Sequence, residues 1–447
     1  MFYKSKLFKS EEKIITFGKY MFLLGVFLLP SALPISGLLF LICIFISYLK
    51  NKNISLKEKS NYPLFISLGL IFFSCINITI ISKSELLSSY DTNLIWFNLF
   101  NWIPMFFLYW GLQFYLKNAS QRILFAKYLV AGTFPVLLSF IFQKYLNWYG
   151  PYETLYGLIV WFQKPIDGSG GYSGLFSNPN YAGLWLAISF PFSLFLLKEA
   201  NNKLNKKFLL LIICIAITIM AYFTKSRNSF LGILIALITL FGFRKFFYSL
   251  FLIFSTSILS YLSLFLTNNQ SKFNNFFEID LVEKFFNINY LSAPRIEIWK
   301  SALSRVSERP LFGWGPSTFS YLHLEKYNPN LTSEKIVEAY HSHNMIIELG
   351  HNFGIPLSII LVYWIAFLIY KAWKKIFINF KQNDDIFINK AWLSASLIVV
   401  FSHLSDVTYY DGKISILIAI LFAGLKCIID EKENKIRSNL TNNQNYI

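Results

Sequence analysis

Apolar runs of about seventeen or more residues, the length at which a helix spans a bilayer core of about 30 Å, recur from one end of the chain to the other, separated by short polar connections. The pattern predicts spans near 14–30, 33–49, 63–82, 94–116, 128–143, 181–197, 208–224, 228–243, 246–266, 345–372, 391–407 and 412–429. One polar interruption is far longer than the rest. It covers residues 267–340 and ends in His341-Ser342-His343-Asn344, where the next apolar run begins. The fold class expected is therefore an all-α polytopic membrane protein of about 12 transmembrane helices. A large outer (periplasmic) loop between spans 9 and 10 would contain short helices. The chain divides into an N-terminal membrane domain (1–266), the loop domain (267–344), C-terminal spans (345–430) and a tail (431–447).

Within the long loop, Ile296, Trp299, Leu303 and Val306 recur at three- and four-residue steps and predict a helix over 294–308 that packs by that stripe. Pro294 suits its first turn, which would set Arg295 beside the positive end of the helix dipole. Pro310 ends the helix, and Gly313-Trp314-Gly315-Pro316 reads as a turn. The run 345–372 is too long for one crossing, so Gly350, Gly354 and Pro356 are expected to break it and leave an interfacial helix near 341–352. On such a helix His341, Asn344, Glu348 and His351 share a face while His343 lies to one side. Lys225-Ser226-Arg227-Asn228 makes a very short turn that pins Arg227 at the membrane surface.

Composition sharpens this picture. The chain is 55% hydrophobic and 15% charged, against about a quarter charged in soluble domains. The net charge of +17 comes mostly from Lys and Arg in alternate short connections. That bias puts both termini in the cytoplasm and makes nucleic acid an unneeded partner. Arg is distributed differently: four of seven (Arg227, Arg295, Arg305, Arg309) fall on the opposite, outer side. A guanidinium offers phosphate or carboxylate a rigid two-pronged contact. Cys43, Cys75, Cys214 and Cys427 sit in or beside apolar runs, which disfavours disulfides and thiolate metal sites. Neither a phosphate-binding G-x-x-x-x-G-K-[ST] loop nor His-Glu-x-x-His occurs, and Glu278 with Asp280 reads as an exposed acidic patch. Spans lacking mid-membrane acids disfavour ion-coupled transport.

Several segments then resemble a known family. Phe176-Ser177-Asn178-Pro179-Asn180-Tyr181-Ala182, Thr224-Lys225-Ser226-Arg227, Arg295 to Trp299, Pro310 to Gly315, and Ser342-His343-Asn344 followed by Glu348, Gly350 and Gly354 stand in the order found in the O-antigen ligase/polymerase superfamily. The resemblance implies an O-antigen ligase-like, metal-independent inverting glycosyltransferase without cofactors, in the bacterial inner membrane. It would move a glycan from an undecaprenyl-pyrophosphate carrier to a lipid A-core or other glycan acceptor hydroxyl in lipopolysaccharide or other polysaccharide biosynthesis. A repeat-unit polymerase is the nearest alternative, and an inorganic-carbon transporter the alternative of another class. By resemblance His343, Arg227 and Arg295 are the catalytic candidates. Arg309, Asn180, His341 and Asp406 are candidates for substrate binding. Periodicity favours His341 and the resemblance favours His343.

Overall fold

The structure is a computed structural model and describes residues 2–50, 58–81, 90–166, 170–200, 204–248, 288–327, 339–379 and 385–431. Glu278, Asp280, residues 167–169 and most of the expected span 246–266 lie outside the described residues. The described chain is helical apart from one small hairpin. In order it runs α1 (Phe2–Leu28), α2 (Leu33–Lys50), α3 (Tyr62–Ile81), α4 (Asn93–Asn98), α5 (Ile103–Leu112) and α6 (Ala119–Tyr145). The hairpin β1 (Tyr152–Thr154) and β2 (Ile159–Trp161) follows, with Glu153 opposite Val160. Then come α7 (Pro179–Glu199), α8 (Leu204–Phe223), α9 (Arg227–Phe241), α10 (Ile288–Glu308), α11 (Phe319–Tyr327), α12 (Met345–Phe353), α13 (Ile355–Lys374), α14 (Ile386–His403) and α15 (Gly412–Asp430).

Eight described helices are long and apolar enough to cross a membrane: α2, α3, α6, α7, α8, α13, α14 and α15. The chain is a multi-pass membrane protein. The expected span 94–116 is instead broken into α4, α5 and 3-10 turns. Asn98, Asn101 and Pro104 interrupt it, and a proline lacks the amide that a continuous helix would use.

Two helices form the axis of the bundle. Every residue of α15 from Lys413 to Ile428 is buried, and α7 is buried from Ala182 to Ser193. Small residues permit this. A Cβ on Gly183 would come within 2.9 Å of Ser229, and one on Gly232 within 2.8 Å of Ala187. Close approach of helices through small residues replaces the hydrophobic drive that lipid does not supply. At the tail end, buried Arg122 binds Asn389 Oδ1 (3.2 Å), Leu116 O (3.1 Å) and Glu431, joining α6, α14 and α15. At the opposite end, here termed the site face, Lys413 Nζ donates to Leu175 O (2.9 Å) and lies over the Phe176 ring. This anchors the Phe176–Asn180 segment to α15.

The break in the 345–372 run falls at Gly354, whose φ is +92°, with Pro356 in the first turn of α13. The exposed carbonyls ending α12 are taken up by the turn after α10: Trp314 N donates to His351 O (2.7 Å) and Gly315 N to Asn352 O (2.9 Å). Two expectations for α10 fail. The helix starts at Ile288, so Pro294 and Arg295 lie inside it rather than in its first turn. The packed face is Ile298, Ser301, Ala302, Arg305 and Val306, whereas Ile296 and Leu303 are exposed. Small side chains let α10 sit close to α12, and Arg305 can be buried because Glu308 Oε2 and Leu322 O accept its protons.

A Cβ at Gly354 would lie 2.2 Å from Leu311 O, on top of the strain of a left-handed conformation, about 1–3 kcal/mol. Gly354→Ala should therefore lower the unfolding temperature in detergent. Gly37→Ala, which meets nothing within 4 Å, should leave it unchanged or slightly raised; equal effects from both would contradict this account of the break.

Candidate active site where helix ends converge

The site forms where four connections meet on one face. The first is the start of α7. Asn178 caps it by accepting from Asn180 N (2.8 Å), with Pro179 in the first turn. This leaves the Asn180 side chain free to donate to Asp406 Oδ2 at 2.9 Å. Asp406 lies in the second connection, between α14 and α15. The third is the tight α8–α9 turn, with Lys225 at φ +54°. Asn228 ties it to the α14–α15 connection, since Ser405 Oγ donates to Asn228 Oδ1 (2.8 Å).

The fourth connection carries the histidines. The helix expected over 341–352 begins only at Met345, because Asn344 acts as its cap and accepts from Ile346 N (3.0 Å) and Ile347 N (3.1 Å). His341 therefore stands outside the helix and shares no helical face with Glu348 or His351. Instead His341 and His343 are folded against each other, ring centroids 4.3 Å apart, and His343 adopts φ +53°. A left-handed non-glycine residue is the kind of local strain that surrounding contacts must hold. Buried Glu348 supplies them: Ser342 N donates to its Oε2 (2.8 Å), and Tyr410 Oη (2.6 Å) and Asn352 Nδ2 (3.2 Å) donate to Oε1. Tyr410 in turn stacks on His341.

These bonds distinguish the two imidazoles. His343 Nδ1 lies 3.0 Å from Asp406 Oδ1, and an ionised carboxylate only accepts. In the neutral ring the proton is therefore on Nδ1 and Nε2 carries the lone pair; in the charged ring both nitrogens carry protons. His341 Nδ1 accepts from His343 N (3.3 Å), so neutral His341 carries its proton on Nε2. One ring offers a base and the other a hydrogen-bond donor. Burial pushes the Asp406 carboxyl up, but the His343 hydrogen bond and the charges of His343, His341 and Arg295 outweigh it and hold Asp406 below the ordinary carboxylate range. Burial lowers His341, reinforced by the neighbouring His343 charge and by Arg295, against Glu348 and Asp406.

Arg295, from α10, acts electrostatically on Arg227, His341 and Asp406 alike. Arg227 opens α9, where the helix dipole adds to its charge. Neither guanidinium has a carboxylate within ion-pair distance among the described residues. Two cations close enough for one to lower the other are a candidate anion site. Arg309 is not part of this group. It lies just past the other end of α10, over the Trp314 ring at 4.8 Å. His351 is also apart, buried edge-on to Phe319. The donor atoms of His341, His343 and Asp406 lie within 4.8 Å of one another, a grouping of metal-ligand type, although the Arg295 charge opposes a cation there.

An apolar cavity of about 260 Å³ adjoins the histidine turn. Met345 and Ile346, which follow that turn, line it together with Leu404, Tyr409, Trp364 and Phe422. Sequence reasoning did not single out Asn228, Lys413 or Tyr410, which position the site through contacts distant along the chain. Of their neighbours, Arg227, His341 and Asp406 were named from the sequence.

Burial also holds His351 below its ordinary value, with Arg305 assisting and Glu348, Asn352 and Glu308 opposing. A group whose folded pKa is depressed adds stability above its unfolded value, about pH 6.5 for His. That stability is lost as pH falls through the folded value. Unfolding temperature should therefore drop between pH 7.5 and 5, and His351→Gln should flatten the drop whatever its stability at pH 7.5. An unchanged slope would show that His351 does not carry it.

No curated protein matches the chain. Residues 210–362, from the second turn of α8 into α13, match the family model Wzy_C, described as O-Antigen ligase. The match takes in Arg227, Arg295, His341 and His343, while Asn180 and Asp406 lie outside it. The chain is thus a multi-pass membrane protein whose residues 210–362 match an O-antigen ligase (Wzy_C) domain.

Proposed function

We propose that this protein is a metal-independent inverting glycosyltransferase of the O-antigen ligase kind. It works at the periplasmic face of the bacterial inner membrane, with both termini in the cytoplasm. Its donor is a glycan on undecaprenyl pyrophosphate and its acceptor a hydroxyl of lipid A-core or another glycan. The observation that carries this reading is the His343–Asp406 pair set beside two guanidiniums without carboxylate partners, next to an apolar cavity.

In this reading the pyrophosphate sits between Arg227 and Arg295, and lipid chain near the headgroup enters the cavity. The acceptor hydroxyl gives its proton to His343 Nε2 as its oxygen attacks the anomeric carbon from the side opposite the pyrophosphate. The bond from that carbon to the pyrophosphate oxygen breaks, and the pair of electrons leaves with the pyrophosphate. The arginines meet the charge that develops there, the type of preorganised stabilisation that contributes most to many enzymes. Asp406 keeps His343 in the productive tautomer and balances the imidazolium as it forms. Asn180 holds the second Asp406 oxygen, and His341 offers its Nε2 proton to a substrate oxygen.

With purified protein, lipid-linked donor and acceptor, His343→Ala should cut turnover by about 10²-fold or more, and Arg295→Ala should do likewise. EDTA should leave the rate unchanged. Full activity of both variants would remove the site assignment, and loss of activity in EDTA restored by one divalent metal would turn His341, His343 and Asp406 into its ligands. In cells, deletion should leave long polymer on the lipid carrier. Single repeats on the acceptor would identify a polymerase instead.

A further inference from the structure

The β1–β2 hairpin belongs to none of this chemistry, yet it is built in an unusual way. Residues 145–163 include three tyrosines beyond Tyr145, two tryptophans, and a single charged residue, Glu153, between flanking Lys144 and Lys164. Every residue from Tyr152 to Leu158 is exposed, and Tyr156 at the tip is wholly so. Leu155, Tyr156 and Gly157 all have positive φ, which throws Leu155, Tyr156 and Leu158 outward together. A lone two-strand hairpin is marginal in water, so another surface must complete this one.

The anchoring of the hairpin indicates which surface. Trp161 Nε1 donates to Ser31 O (2.7 Å) in the α1–α2 turn. Trp148 N donates to Phe142 O (3.1 Å) at the end of α6, and the Trp148 ring packs on Phe142. Both anchors are ends of apolar helices. The exposed face of α6, an apolar helix long enough to span a membrane, runs through Phe134, Ile141 and Tyr145 and continues into Leu146 and Trp148, with the exposed Asn147 between these two. The aromatic face of the hairpin thus prolongs a lipid-facing surface. Trp and Tyr favour the depth of the headgroups, and the exposed Lys164 can reach outward to phosphates, whereas Lys144 lies over the Phe223 ring.

We infer that the hairpin is an interfacial foot whose tip enters the membrane leaflet on the site face, its partner a lipid surface. The foot would also set the height of the site. Gln163 N donates to Gly174 O (2.9 Å), and Gln143 Oε1 accepts from Gly174 N (2.9 Å), so the hairpin base is tied to the strand of chain that presents Asn180. The inference holds whichever glycan the protein handles.

The test uses the full chain with Tyr156→Cys or Leu158→Cys, labelled with an environment-sensitive fluorophore in phosphatidylethanolamine–phosphatidylglycerol vesicles. The four natural cysteines are buried, and the unaltered protein measures their background. Both tip labels should be quenched by nitroxide lipids and be several-fold less accessible to aqueous iodide than a label at Ser307→Cys, an exposed position on α10. Iodide access equal to that of Ser307→Cys at both positions would overturn the inference. So would shielding that appears only when a soluble glycan is added, which would make the hairpin a sugar platform.

Discussion

The carboxylate of Asp406, 3% exposed, accepts hydrogen bonds from the His343 ring, the Asn180 amide and the Val407 backbone amide. Removing a charge from water is costly unless hydrogen bonds and an opposite charge replace the solvent. Val407 is the next residue, but the His343 ring and the Asn180 amide come from distant stretches of chain, so the fold must deliver both of them to Asp406. The rest of the site follows from that demand. Lys413 and Phe176 hold the Asn180 segment against α15. Glu348 holds the His341–His343 turn, and Asn228 brings the Arg227 turn beside Ser405. The hydrogen bond and charge of His343, then His341 and last Arg295, hold the carboxyl below its ordinary range despite its burial.

The same polar cluster is bounded by apolar structure. The break at Gly354 makes α12 a short helix separate from α13, and the Trp314 turn seals its last carbonyls. The chain thereby keeps a histidine turn level with the helix ends while α13 goes on to cross the bilayer. A cavity lined by Met345, Ile346 and Leu404 adjoins that turn. A lipid-linked anion and this arrangement are matched in polarity, charged head against charged residues and chain against apolar wall.

Much of this was legible in the sequence, and the limits have physical causes. Spans such as 33–49 and 412–429 were visible because a helix needs a fixed apolar length to cross a bilayer. The Gly354 break was visible because glycine and proline act locally. The tight turn before Arg227 was visible because only four residues separate two apolar runs. The choice between His341 and His343 was not. Helical periodicity was extended back through Asn344, whose side chain in fact ends the helix. The stripe on α10 misled because Ser301, Ala302 and a paired Arg305 form the packed face, which apolar spacing cannot reveal. Asp406 looked minor because its partners lie 63 and 226 residues away in sequence.

The most direct test is a cryo-electron microscopy structure of the full chain in nanodiscs with undecaprenyl pyrophosphate bound. The account predicts the pyrophosphate between the Arg227 and Arg295 guanidiniums, the first isoprene units in the cavity lined by Met345, and His343 Nε2 facing the outer phosphate across the space that the sugar would occupy. A pyrophosphate bound elsewhere with Arg227 and Arg295 empty, or His343 turned away from it, would contradict the account.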